Sequence, residues 1–349
     1  MSSPTAAPPE PAREHGRLLS AVVPDRQRRD LAELADRLDL SSGEVRAKRS
    51  AFWAMLVLSG IIAISGVVTD STATVIGAMI IAPLSTPILG FGLGVVTGQG
   101  RLVGRSALYV LGGVALVVVL GWLVALALPE TSSVVTNSQV TGRTSPGVGD
   151  LVAAFATGFA GAIALARRDL GDVLPGIAIA ISLVPPLGVV GVCLGAGEPA
   201  LAAGALLLFG SNVVALVVAA TVVFTGAGYA SDAAQAREDA GGRRRPRRAV
   251  VLGAAAVVVV AVPMVANTMQ SVLAEVWAGQ VRSAAESWLA DTPEADVEDV
   301  TWQGTDLVVE VRGPGDLPDV AELQASVDEL VPWDPEVTVV HTVGERVEG

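Results

Sequence analysis

Apolar positions along this chain gather into long uncharged blocks separated by short polar stretches. Ala51–Thr69, Ser71–Gly100, Ser106–Leu128, Val173–Gly197, Pro199–Ser231 and Ala249–Ala274 are each long enough for a helix that crosses a bilayer. Leu151–Ala166 is shorter, but Arg167 and Arg168 can snorkel and lengthen it. Ahead of the first block, Asp25–Leu40 places Leu31, Leu34 and Leu38 on one helical face with charges on the others, which predicts an amphipathic helix. Such a helix can lie on the membrane surface or pack on a neighbouring subunit, and its balance of acids and bases favours packing. Ser41 and Glu44 have capping-box spacing, predicting a helix start that runs through Arg46, Lys48 and Arg49 into the first span.

After about Glu275 the pattern changes. Trp277, Val281 and Trp288 make a helix stripe, Val297–Trp302 and Leu307–Arg312 flank the turn-like Gln303-Gly304-Thr305-Asp306, Val320, Leu323, Val327 and Leu330 make a second stripe, and Val337–Val343 reads as a strand. The order α-β-β-α-β predicts a small α+β domain with one sheet and helices on one face.

Within Ser71–Gly100 lies "IGAMIIAPLSTPIL", Ile76–Leu89, where Pro83 and Pro87 each remove a backbone donor. A continuous helix over that block would rise about 45 Å against a hydrocarbon core of about 30 Å, so the segment must bend, tilt or re-enter. A break there frees amides and carbonyls that lipid cannot satisfy. A second proline-broken run, "GIAIAISLVPPLGVVG", follows in the other half. Setting Leu58–Gly98 against Ala156–Ala196, an offset of 98, pairs Gly60 with Gly158, Pro87 with Pro185 and Leu89-Gly90 with Leu187-Gly188. Three spans per half would place the two copies in opposite orientations. The fold expected is mainly α: a polytopic bundle of about seven spans, an inverted 3+3 repeat with Pro-broken helices, and the small C-terminal α+β soluble domain.

Arg46, Lys48 and Arg49, Arg101 and Arg105, Arg167 and Arg168, and the run Arg243–Arg248 all fall on one side if there are seven crossings. The positive-inside rule then puts the N-terminus in the cytoplasm and the C-terminal domain outside, across a plasma (inner) membrane. The expected divisions are a disordered tail at 1–24, without the h-region of a cleaved signal peptide, and a cytoplasmic amphipathic lead-in at 25–49. Repeat one at 50–128, an outer loop at 129–149 and repeat two at 150–231 follow, then a basic loop at 232–248, a seventh span at 249–274 and the outer domain at 275–349.

Composition adds scale: 349 residues, 51% hydrophobic, 17% charged and a mean hydropathy of +0.57. The net charge of −12 comes mostly from acids after Glu275 and names no acidic or basic partner. The single cysteine, Cys193, excludes a disulfide framework and reads as a packing residue. "RRRPRR" beside a span is a topogenic and anionic-lipid contact; nucleic acid is not an expected partner. Trp53 and Trp122 near span ends suit interfacial anchoring.

For chemistry, Asp70 is the sole acid between Ala51 and Gly100, with Ser71 and Thr72 beside it. Asp70 or Ser71 can cap the second span, or the acid can form a cation or proton site at an outer vestibule. Ser85 and Thr86, between Pro83 and Pro87, satisfy freed carbonyls or coordinate a small solute, together with Pro185 and Pro186 across the repeat. Ser211 and Asn212 lie mid-span, as interhelical glue or facing the broken helices, with Asn267 a weaker candidate. Arg167, Arg168, Asp169 and Asp172 form local salt pairs or a gate at the second broken segment. His15 and His341 lie outside the spans, and no nucleophile-base pair, intramembrane acid pair or G-x-S-x-G appears, so no catalytic residue, metal site or cofactor is expected.

"GAMIIAPL" at Gly77–Leu84, "AIAISLVPPL" at Ala178–Leu187 and "LLLFGSNVVAL" at Leu206–Leu216 resemble signature segments of the bacterial and archaeal membrane family called domain of unknown function 389. The resemblance covers roughly Ala51 to Thr225, and its first motif, with Asp70-Ser71-Thr72 before it, is the more specific. It implies an integral membrane protein with a multi-span core and a variable soluble extension, and it supplies no activity. The extension here follows the core, whereas in many relatives a soluble region precedes it. The expected function is a transporter or channel for a small ion or polar solute, with its site between the broken helices. The alternative is a membrane-anchored sensor or assembly protein whose C-terminal domain binds a partner. Glycines such as Gly90, Gly92 and Gly94 permit close helix contacts and make a homo-oligomer an expected partner.

Overall fold

The computed structural model describes residues 21–127, 137–144, 147–171, 183–239, 273–274, 276–290, 292, 295–303, 306–313 and 317–343. Asp172, Asn267, Arg243–Arg248, Gly304-Thr305 and nearly all of the expected seventh span lie outside the described residues.

The amphipathic lead-in forms α1, Leu31–Leu38. Then come α2 (Val45–Val68), α3 (Thr72–Ile81), α4 (Ser85–Thr97), α5 (Gly100–Ala127), α6 (Ser138–Thr144), α7 (Val148–Ala166), α8 (Val184–Ala196), α9 (Pro199–Gly226) and α10 (Tyr229–Asp239). Four of these, α2, α5, α7 and α9, are long and apolar enough to cross a membrane, and α3 with α4 makes a fifth, bent by 47°. Leu58 and Ile61 on α2, Leu108 and Leu111 on α5 and Val152 on α7 stay exposed, which a bilayer tolerates and water does not.

The bend has a local cause. Ala82, preceding a proline, is held extended and ends α3. Pro83 has no N–H for the carbonyl of Met79, and Pro87 has none for that of Pro83. The Pro83 carbonyl accepts instead from the Thr86 N–H at 3.2 Å, and α4 resumes at Ser85.

Three buried clusters stack through the bundle. A central one joins Leu84 and Ile88, at the start of α4, to Leu183, Val184 and Leu187, at the start of α8, with Leu56, Val117 and Leu216. A second gathers Leu34 and Leu38 of α1, Val96 and Leu102 around the Gly98 turn, Ala166 at the end of α7, and Phe224 and Tyr229 at the α9–α10 junction. The third gathers Val67 at the end of α2, Val140 of α6, and Cys193 and Leu201 around the Gly197 turn.

The helices α4 and α8 have 13 residues each, and α5 and α9 have 28 each. Both short helices end on a left-handed glycine, Gly98 at φ 65° and Gly197 at φ 83°. The caps match too: Gly98 N–H and Gln99 N–H reach the carbonyls of Val95 and Gly94, and Gly197 N–H and Glu198 N–H reach those of Leu194 and Cys193. Element bounds therefore align at an offset of 99, from Gly98 to Gly197, where sequence identity had suggested 98. Pro87 now falls opposite Pro186, and Gly92 opposite Gly191.

Side-chain packing follows the same offset. A Cβ on Gly92 would sit 2.7 Å from the Ala220 Cβ on α9, and a Cβ on Gly191 would sit 2.3 Å from the Val118 carbonyl oxygen and 2.8 Å from the Gly121 Cα on α5. Since Gly92 maps to Gly191 and Gly121 to Ala220, these are one crossing made twice, α4 on α9 and α8 on α5. Small residues let the backbones approach where lipid supplies no driving force between helices.

Several sequence expectations need adjusting. The third span begins at Gly100, so Arg101 and Arg105 lie in its first turns, because arginine is a good helix former that can snorkel beyond the apolar core. The capping box does not form: Gly43 turns at φ 61°, the Asp39 side chain accepts from the Ser41 N–H, and α2 starts at Val45. The amphipathic helix packs on its own chain, with Leu34 and Leu38 buried and the Leu38 carbonyl seated against Gly90. Gly90, Gly92 and Gly94 are thereby used inside the protomer, so their presence no longer argues for a homo-oligomer.

The C-terminal region keeps the predicted order. A helical stretch at 276–288, here α11, precedes β1 (Asp296–Gln303), β2 (Asp306–Arg312), α12 (Val320–Leu330) and β3 (Val337–Thr342). Strand β1 pairs antiparallel with β2, closing at Gln303–Asp306, and β2 pairs parallel with β3 in a sheet of order β1-β2-β3. Val281, Leu307, Val309, Leu323 and Val327 form its core.

Candidate site at the broken helices

The sequence candidates fall in three separate places. Pro83, Ser85, Thr86 and Pro87 form the bend and the first turn of α4, while Pro185 and Pro186 lie in the first turn of α8. Ser85 and Thr86 are half-buried, and Pro87, Pro185 and Pro186 are buried. Asn212 is 6% exposed and lies between Phe209 and Leu216, two members of the central cluster, on one face of α9. Ser211 donates to the Leu208 carbonyl at 2.9 Å, so its hydroxyl is spent on its own helix. The two half-helix starts and Asn212 are therefore drawn to the middle of the bundle, in a largely apolar lining that includes Phe52 and Phe209.

Asp70, Ser71 and Thr72 lie elsewhere, at the turn between α2 and α3. Ser71 accepts from the Thr74 N–H at 3.4 Å and caps α3. Asp70, at φ 50°, helps cap a different helix: its Oδ1 accepts from Ser138 Oγ at 2.6 Å and from the Gln139 N–H at 3.2 Å at the start of α6, where Asn137 Oδ1 shares the Gln139 N–H at 2.9 Å. Gln139 Nε2 donates to Thr72 Oγ1 at 2.9 Å, and Asn137 Nδ2 to the Val67 carbonyl at 2.8 Å. The Ser138 hydroxyl is the main reason the Asp70 carboxyl is held below its usual range, with desolvation opposing. Asn137 and Gln139 escaped sequence reasoning; the signal was an Asn-Ser-Gln run ahead of a short polar helix.

At the opposite end of the bundle, Arg167, Arg168 and Asp169 bind the N-terminal segment. Arg167 pairs with Asp169 at 2.6 Å and donates to the Val22 carbonyl at 2.8 Å. Arg168 bridges Asp30 at 2.8 Å and Glu33 at 3.1 Å. Backbone pairing reinforces them, from Arg29 N–H to the Ala166 carbonyl and from Arg168 N–H to that of Gln27. The hydrogen bonds that Arg168 donates to Glu33 and Asp30 raise its pKa, and Arg167 lowers that of Asp169. Two further groups went unpredicted: Arg28 stacks 3.9 Å over the Tyr229 ring and pairs with Asp232, and the Tyr229 hydroxyl donates to the Arg29 carbonyl at 2.9 Å. Hydrophobic periodicity gives no hint of such a contact between residues so far apart in the chain.

Among the described residues, no three His, Cys, Asp or Glu side chains gather where they could hold a metal ion. What the bundle does hold is a pair of short helices that begin inside it, a motif of membrane proteins with several apolar spans. Residues 79–218 match the family model described as "Domain of unknown function (DUF389)". An uncharacterized protein of Methanocaldococcus jannaschii is 32% identical over 174 residues, which are 50% of this chain and 53% of that relative. The chain thus matches about half the length of the curated relative. No solved structure matches.

Proposed function

We propose that this protein is a transporter or channel for a small ion or polar solute, with its site where α4 and α8 begin. The observation that carries this reading is the doubled crossing at offset 99: two equal half-helices start in one central cluster, each packed on the long helix of the other copy. Pro87, Pro185 and Pro186 carry no N–H and the Thr86 N–H goes to the Pro83 carbonyl, so the first-turn amides that these starts can offer a solute at membrane depth are those of Ser85 and Val184, beside the Ser85 and Thr86 hydroxyls.

The same reading takes the two halves as an inverted repeat of three spans each, with a seventh span at 249–274, the N-terminus in the cytoplasm and the membrane as the plasma membrane. Its support is the separation of the two glycine turns. Gly98 lies with α1, the end of α7 and α10, near Arg101, Arg105, Arg167 and Arg168, while Gly197 lies with the end of α2 and with α6. The positive-inside rule assigns the first group to the cytoplasm.

Solute flux into proteoliposomes tests the proposal. Flux should fall with Asn212→Leu and Pro87→Ala and survive deletion of the residues after Val276. Flux unchanged in both variants would remove the central site, and loss of oligomerisation alone on deletion would make the C-terminal region an assembly module.

A further inference from the structure

Three of the six tryptophans meet at one spot in the C-terminal region. Trp277 on α11 and Trp333 lie with ring centroids 4.4 Å apart at 86°, and Trp302 on β1 lies 5.8 Å from Trp333. Trp333 is held out by a tight turn: Asp334 takes a left-handed φ of 47°, rare for a residue with a Cβ. Although a tryptophan of this size normally buries, Trp333 is 44% exposed. Leu273 and Val276, at the entrance to α11, are exposed as well.

The cluster is tied to one point of the chain. Trp302 Nε1 donates to the Ala274 carbonyl at 2.9 Å, and Ala274 ends the uncharged run Ala249–Ala274. On the reading of 249–274 as a span, a cluster fastened to Ala274 sits at the level of the headgroups. Indole rings favour that level, with an apolar body towards the acyl chains and an N–H for a polar partner.

We infer that Trp333 and Val276 dock on the lipid interface beside the chain's own last span, so that the C-terminal region rests on the bilayer and does not stand off it. The inference rests on reading 249–274 as a span, and the test separates the two. In a Cys193→Ala background, nitroxide labels are placed singly at Val257→Cys, Val276→Cys and Glu310→Cys in full-length protein reconstituted in phosphatidylcholine vesicles. Their collisions with oxygen and with a water-soluble nickel chelate are then compared. Labels at 257 and 276 are expected to favour oxygen and the label at 310 the chelate. A label at 276 as open to the chelate as that at 310, with 257 still protected, overturns the docking alone. A label at 257 open to the chelate overturns the span and the docking with it.

Discussion

The hairpin of α4 and α5 and the hairpin of α8 and α9 have the same lengths, the same glycine caps and the same crossing, yet little common chemistry. Where the first begins Ser85-Thr86-Pro87, the second begins Val184-Pro185-Pro186. Where the second crosses glycine on glycine, Gly191 on Gly121, the first crosses Gly92 on Ala220. The two hairpins share their geometry, while hydroxyl groups stand at the start of the short helix only in the first. Packing thus constrains a few small residues tightly at the two crossings.

The comparison can be broken most sharply at the tighter crossing. Gly191→Ala would drive a Cβ to 2.3 Å from a backbone oxygen, a clash with no flexible end to yield, and should cost on the order of 3 kcal/mol or prevent folding. Thermal unfolding in detergent reads the loss. At the looser crossing, Gly92→Ala meets the Ala220 Cβ at 2.7 Å and should cost about 2 kcal/mol. Adding Ala220→Gly reverses small and large across that contact, so the double variant should recover most of the loss. Failure to recover would mean that the two crossings are not equivalent.

The glycine turns should behave as a pair. Gly98→Ala and Gly197→Ala each force a Cβ into left-handed backbone and should lower stability by about 1 kcal/mol, to similar extents. A clear inequality in melting temperature would argue against a shared cap.

The smallest effect lies in the polar turn, which has no counterpart at the other end. The Asp70 carboxyl titrates below its ordinary value of 3.8, so its bonds to Ser138 and Gln139 stabilise the α6 contact fully above that value. The contribution is lost as pH falls through the depressed folded-state value. The protection of amides 138–144 against hydrogen exchange, taken relative to the intrinsic rate at each pH, should therefore fall as the pH is lowered below about 4, and Asp70→Asn should abolish that change in protection. Protection in the wild type that stays constant over this range would show that the carboxylate is not what holds α6.

The broken helix at Pro83–Pro87 was legible in the sequence because two effects agree there: missing N–H donors and a block too long for the membrane. The C-terminal α-β-β-α-β order was legible for a similar reason, since its periods change cleanly between helix and strand. The doubled hairpin was harder to read. Matching identical residues gave an offset of 98, because prolines and glycines recur by chance in apolar runs, whereas the caps at Gly98 and Gly197 fix 99. The docking of α1 on its own chain depends on Gly90 opening room for the Leu38 carbonyl, a contact that no local pattern encodes. Asp70 illustrates the same limit: as a cap it was foreseeable, but the helix it caps begins at Ser138, far along the chain.

Whether the two hairpins are opposed across the membrane is the claim on which the rest depends. In a Cys193→Ala background, Gln99→Cys and Glu198→Cys each place a lone thiol just past one glycine turn, and a membrane-impermeant maleimide applied to intact cells reads which side each faces. The account predicts labelling at 198 from outside and at 99 only after the membrane is opened. Labelling of both positions from the same side would contradict it.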